Sequence, residues 1–312
     1  DRAETMKPCN IGAQGTCCKN CGMGPCRLPL PKSGIEGEDT RKGLCGATAN
    51  TIAARNFIRM IAGGAAAHSD HGRGVAEVFL TAARKETNDY QIKDTVKLVQ
   101  VAEALGVATT VEVDGETKDR DLDEVAVEVG EIAMAEWGKP EGEVFYLKRA
   151  PQALYEKWEK QGVRPRNIDR EIVEIMHRTH IGVDQDYRNL MKQGVRAAIA
   201  DGWGGSMLAT DLQDILFGTP YPLQSEANLG VMKEDHVNLI VHGHEPILSE
   251  MIVAASQSKE MLDYAKEKGA KGIQLSGICC TANEILQRHG IPPAATFLQQ
   301  ELAIITGACD AM

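Results

Sequence analysis

Six of the nine cysteines in this chain fall within its first 45 residues, as Cys9, Cys17, Cys18, Cys21, Cys26 and Cys45. The run reads C-x7-C-C-x2-C-x4-C-x18-C in a stretch rich in Gly and Pro, where metal ligation has to supply the order that a core normally supplies. Adjacent side chains such as those of Cys17 and Cys18 diverge, so the two rarely serve one centre. The economical arrangement is two neighbouring centres, one taking Cys18, Cys21, Cys26 and Cys45 and the other taking Cys9 and Cys17. Four thiolates hold either zinc or a 4Fe–4S cubane. Structural zinc sites usually pair their ligands in two close knuckles, whereas Cys45 is distant from Cys26. That favours iron–sulfur, with zinc as the alternative. Cys9 and Cys17 are two ligands short of a tetrathiolate centre. A two-fold symmetric dimer makes up the number, each subunit giving two thiolates to a group on the axis. Two uncoordinated cysteines are the simpler alternative.

A net charge of −10 argues against nucleic acid or an anionic membrane as partner. No apolar run approaches the roughly 20 residues that span a bilayer. The opening Asp1-Arg2-Ala3-Glu4 has neither an initiator Met nor the regions of a signal peptide. The chain is therefore expected to begin inside a longer sequence and to be cytoplasmic, where clustered thiols stay reduced and act as ligands rather than staples. A length of 312 residues suggests about two domains.

After the cysteine segment, Ala47-Thr48-Ala49-Asn50 leads into a helical stretch expected to run through Arg59 to about Ala62. A second follows from Ala65, with Val75, Val78, Phe79 and Ala82 on one face. Further amphipathic segments are expected at 94–105, 122–137, 167–178 (behind an Asn167 cap) and around Leu190–Ala200. Near residue 235 the pattern changes. Val237–Val241 reads as a strand, about Leu248–Lys268 as a helix, Gly272–Ser276 as a strand and Ala282–Arg288 as a helix. That alternation predicts a parallel sheet with right-handed crossovers, in which ligands bind beyond the carboxyl ends of the strands. Both strands end in metal-competent residues, His242 and His244 after the first and Cys279 and Cys280 after the second. An imidazole beside such cysteines suits Fe, Ni or Zn, and only one of the two histidines is expected to reach a given metal. His68 and His71 share a face if their segment is helical, although a lone helical His is more often structural. His177, His180, His236 and His289 read as structural. Gly202-Trp203-Gly204-Gly205 lacks the strand-before, helix-after context of a phosphate loop and is set aside.

Taken together, these residues resemble the anaerobic, nickel-containing carbon monoxide dehydrogenases. The matching pieces are CNIGAQGTCCKNCGMGPC at Cys9–Cys26, GLCGATA around Cys45, Ala53-Ala54-Arg55-Asn56 and Gly64-Ala65-Ala66-Ala67-His68. They continue through Asp214–Pro220, Ser225–Asn228, His242-Gly243-His244, Gly277–Thr281 and the terminal TGACDAM. The resemblance implies a multidomain α+β chain. An iron–sulfur segment at 1–45 would belong to a mostly helical domain over 46–232. The start of a Rossmann-like α/β parallel-sheet domain, incomplete here, would follow at 233–312.

It also implies the reaction CO + H2O ⇌ CO2 + 2H+ + 2e− at a Ni–Fe–S centre, the C-cluster. By resemblance Cys18, Cys21, Cys26 and Cys45 hold a 4Fe–4S relay, the B-cluster. Cys9 and Cys17 share a D-cluster, 4Fe–4S or 2Fe–2S, across the axis of a homodimer. His244 and Cys280 match two C-cluster ligands, His68 a proton-handling histidine near nickel, and His71 the next member of a histidine relay. Implied partners are a ferredoxin-like electron acceptor and an acetyl-CoA synthase or hydrogenase complex. The pattern departs from the family at Gly74, where the relay would want another histidine, and at Cys309, where no ligand is expected. Further cluster ligands are expected beyond Met312. The competing classes are an electron-transfer module without a substrate site and the related hybrid-cluster family; His244, Cys280 and His68 favour the dehydrogenase.

Overall fold

The structure, a computed structural model, describes residues 5–312; the Asp1–Glu4 start lies outside the described residues. Its dominant element is one helix of 35 residues, Ala49–Ala83, where the sequence suggests two. Gly63 and Gly64 each cost about 1 kcal/mol relative to Ala in a helix interior. Against that, Ile58, Ala62, Ala65, Ser69, Gly72, Ala76, Phe79 and Ala83 are buried at alternating spacings of four and three. Burial of one Ile or Phe is worth about 1.5–3 kcal/mol, so the unbroken stripe outweighs the two glycines.

The chain divides into two compact units. The first takes its residues from the part through Arg73, from Ala102–Lys118 and from Glu128–Ala209. Its core joins Ala54, Ile58 and Ala62 of the long helix to Ile175, Leu190 and Ala197 of the helices Ile168–Arg178 and Tyr187–Ala200. Asn167 caps the first of these by accepting a hydrogen bond from the Arg170 N–H at 2.7 Å, as its position suggests. The glycine-rich Asp201–Ser206 continues the second as a π-helical turn. Its close contacts explain the glycines. A Cβ on Gly204 would lie 2.7 Å from Ile168 Cγ1, and one on Gly72 of the long helix 2.8 Å from the Gly205 carbonyl oxygen. The motif serves close helix packing, in line with its rejection as a phosphate loop.

The second unit comprises Gly74–Val101, Asp119–Val127 and Thr210–Met312. Here Val237–His242, Ile273–Ile278 and Pro293–Ala295 form a three-stranded parallel sheet in that order. Helices Pro246–Ser256 and Lys259–Glu267 connect the first two strands. The single helix expected there is broken because the Ser258 side chain turns back to accept from the Met261 N–H, starting a new helix. Helix Cys279–His289 follows the second strand directly. The architecture is α+β, with a parallel sheet following a largely helical region. No helix among the described residues is long and apolar enough to cross a membrane.

A buried ion-pair network ties this unit together. Arg288 (7% exposed) meets Asp214 at 2.9 Å and Glu250 at 3.7 Å, and also pairs with Glu284. Lys97 meets Asp211 at 2.6 Å and Asp214 at 3.4 Å, while His289 meets Glu250 at 2.7 Å. Burial pushes the Asp214 and Glu284 carboxyls upward, against the pull of Lys97 and Arg288 on the first and of Arg288 on the second. Arg288→Met takes the cation from Glu284 and leaves Asp214 to Lys97 alone, and is expected to cost about 3–5 kcal/mol. Hydrogen exchange should show that loss in the sheet-bearing unit, and protection equal to wild type would refute it.

Candidate metal centres

Residues Cys17–Cys18 and Cys26–Arg27 pair as a short antiparallel ribbon, with Cys18 directly opposite Cys26 and Cys17 opposite Arg27. Side chains alternate across a strand, so Cys18 turns inward with Cys26 while Cys17 turns away. Cys18 is 8% exposed and packs with Leu28, Ala47 and Ile52. The intervening turn presents Cys21, and the segment ahead of the long helix presents Cys45. All four cysteines line one pocket, with Asn20, Gly43, Arg55 and Ile181 among the other walls. Cys9 and Cys17 are not among its lining residues.

Several groups point polar hydrogens at these sulfurs. The Leu44 N–H donates to Cys26 Sγ at 3.5 Å, and Arg55 Nη1 donates to Cys45 Sγ at 3.5 Å. Burial works against ionisation of Cys45, but Arg55, the Gly182 and Ala47 N–H groups and Gln185 outweigh it and bring the thiol down to about 6. Gly43 is constrained by the same sulfur, since a Cβ there would sit 3.1 Å from Cys26 Cβ and 3.3 Å from its Sγ. Cys9 is exposed and caps the short helix Asn10–Ala13, its Sγ accepting from the Gly12 N–H at 3.4 Å. The Gly12 and Ile11 N–H groups hold its thiol below the ordinary range. Asn56 Nδ2 donates to the carbonyls of Gly15 and Cys17, fixing the backbone between the two cysteine groups.

In the second unit the first two strands end side by side, His242 being the register partner of Ile278. Gly243 then turns at φ 109, a left-handed conformation that glycine accepts readily. The Thr281 N–H donates to the Gly243 carbonyl at 3.0 Å and so joins the two strand ends. Cys279 has φ 67, unusual for a residue with a side chain. Its Sγ lies 3.4 Å from His242 Nε2 and 3.5 Å from Gln300 Oε1, and His242 Nε2 lies 2.7 Å from the same oxygen. Burial, then the neighbouring Cys280 and Glu301, push the Cys279 thiol up. His244 stands on the Gly243 turn, and Cys280 in the first turn of the helix Cys279–His289. Among the described residues, no three His, Cys, Asp or Glu side chains converge on a single-ion site.

His68 and His71 both lie on the long helix, three residues apart. His68 Nδ1 lies 2.7 Å from Asp201 Oδ1, at the head of the π-helical turn. A carboxylate only accepts, so Nδ1 carries the proton of that hydrogen bond. Sequence reasoning missed Asp201, Arg55 and Gln300 as site residues. For Asp201 the available signal was a lone acid leading into a glycine-rich helix, which marks a close helix crossing.

The family model described as Prismane/CO dehydrogenase matches residues 16–312. Carbon monoxide dehydrogenase 1 of Methanosarcina acetivorans is 54% identical over the whole chain, which covers 48% of that relative. The carbon monoxide dehydrogenase/acetyl-CoA synthase subunit beta of Moorella thermoacetica is 45% identical, again over the whole chain and 44% of the relative. A nickel-free carbon monoxide dehydrogenase structure from Thermococcus sp. AM4 superposes with a TM-score of 0.80 at 52% identity, covering 99% of this chain and 47% of that one. The chain thus spans about half the length of the relatives it matches. With the cysteine pocket, the parallel sheet and a match of this extent in agreement, the chain belongs to the Prismane/CO dehydrogenase family.

Proposed function

We propose that this chain contributes to an anaerobic, nickel-containing carbon monoxide dehydrogenase that interconverts CO and water with CO2, two protons and two electrons. The observation that carries this reading is the meeting of Cys18, Cys21, Cys26 and Cys45 around one pocket in a chain 54% identical to a carbon monoxide dehydrogenase. The four thiols surround a space instead of converging on one point, which suits a multi-iron group better than a lone zinc ion. In the proposal they hold a 4Fe–4S relay, and His244 and Cys280 ligate part of a Ni–Fe–S centre. A group of that kind, when bound, supplies soft metal for CO, a Lewis-acidic iron that lowers the pKa of water and a route for electrons.

The chain's own residues then handle protons and position. Asp201 holds the His68 ring through Nδ1, and His68 serves as the proton acceptor, as its match to the family's histidine implies. His71, one turn along the same helix, is the next acceptor. Cys9 and Cys17 pair with their counterparts in a second subunit around a shared cluster. An acetyl-CoA synthase subunit is a candidate partner, in view of the name of the Moorella relative. A ferredoxin-like acceptor in an anaerobe's cytoplasm completes the reading.

The test is metal analysis and CO-dependent dye reduction by the anaerobically prepared full-length protein. Iron with roughly stoichiometric nickel and CO oxidation supports the proposal, and zinc alone would sink it. For the shared cluster, Cys9→Ala is expected to weaken the dimer and lower its iron content in analytical ultracentrifugation and iron assay. An unchanged dimer with full iron would count against it.

A further inference from the structure

Arg55 is the largest fully buried side chain among the described residues, 1% exposed; it lines the four-cysteine pocket, and its guanidinium reaches Cys45 Sγ there. A guanidinium stays charged at any physiological pH, and a buried charge is costly unless an opposite charge answers it. Among the described residues no carboxylate pairs with Arg55. Nη2 donates to the carbonyl of Asp184 at 2.9 Å, Nη1 donates to Cys45 Sγ at 3.5 Å, and Nε has no hydrogen-bond partner. The anion that answers this cation therefore has to be in the pocket, where four thiols meet.

We propose that Arg55 is the fixed counter-charge of the iron–sulfur group held by Cys18, Cys21, Cys26 and Cys45, and that it keeps that group's reduction potential high. The inference rests on the iron–sulfur reading of the pocket given above. The step concerned is the gain of one electron by the group, with no bond made or broken. Reduction makes the group more negative by one charge, and a cation at its edge in a poorly screened interior favours that state. The donor contact to Cys45 Sγ acts in the same direction, because a hydrogen bond to a ligating sulfur stabilises added negative charge.

The test is a mediated redox titration, followed by electron paramagnetic resonance, of the anaerobic full-length protein carrying Arg55→Met or Arg55→Lys. At the wild-type midpoint, Arg55→Met is expected to lower the ratio of reduced to oxidised relay at least tenfold, a shift of about 59 mV for a one-electron couple. Arg55→Lys keeps the charge and should stay within about threefold of wild type. An Arg55→Met protein with full iron and an unmoved midpoint would overturn the inference. If the Met variant fails to assemble its iron, the lysine variant decides, and a tenfold or greater shift there overturns the charge role. Cys18→Ser separates the underlying reading. If that change leaves iron content and spectrum as in wild type, the pocket holds no cluster and the inference falls with it.

Discussion

Cys18→Ala is expected to remove about four irons per chain from the full-length protein, together with the spectrum of the relay. Cys18 is the most enclosed of the pocket thiols, directly opposite Cys26 in the ribbon and packed under Leu28, Ala47 and Ile52. No other cysteine stands ready to replace it. Cys17 is its neighbour in sequence but lies on the opposite face of the strand. The loss should therefore be complete, while nickel content and the fold of the second unit persist. Iron assay and electron paramagnetic resonance of anaerobic protein read the result. Wild-type iron content in the variant would show that the pocket thiols do not hold a cluster.

His68→Ala is expected to slow CO oxidation by about 10²–10⁴-fold, the range for loss of a positioned general base, with iron and nickel unchanged. Its ring is held by a charge-assisted hydrogen bond, Nδ1 to Asp201 Oδ1 at 2.7 Å. Asp201→Asn should accordingly give a smaller loss than His68→Ala, since the amide can still accept through its oxygen but no longer stabilises the imidazolium. Steady-state rates at saturating CO across a range of pH distinguish the two. Normal turnover of the His68→Ala enzyme would refute proton transfer at this residue, and loss of nickel in it would turn the role into one of metal assembly.

Much of the fold was legible because its signals are local. The strand Val237–His242 announces itself by a β-branched run, and the helix Ile168–Arg178 by its Asn167 cap and one apolar face. The errors were also local. The two helices expected on either side of Gly63-Gly64 are one, because the buried stripe continues beneath those glycines. At Ser258 the opposite happened, a cap hidden inside an apparently continuous pattern. Asp114-Gly115 was a hairpin turn in plain view, both residues at positive φ between Thr110–Val113 and Glu116–Asp119.

By itself the sequence determined which donor groups are at hand and the kind of sheet: soft thiols at fixed short spacings, imidazoles near strand ends and a parallel crossover sheet. Ligand type and periodicity are properties of neighbouring residues, so one chain suffices to read them. The tertiary structure alone decided which group answers each of those residues. His68 finds Asp201 133 positions away, Cys279 finds His242 37 positions away, and both of the latter meet Gln300. Cys45 takes its donor from the buried face of a helix that starts after it. These partners depend on how closely backbones can approach. The missing side chain of Gly72 lets the long helix lie against the π-helical turn headed by Asp201, and no local pattern around His68 encodes that contact.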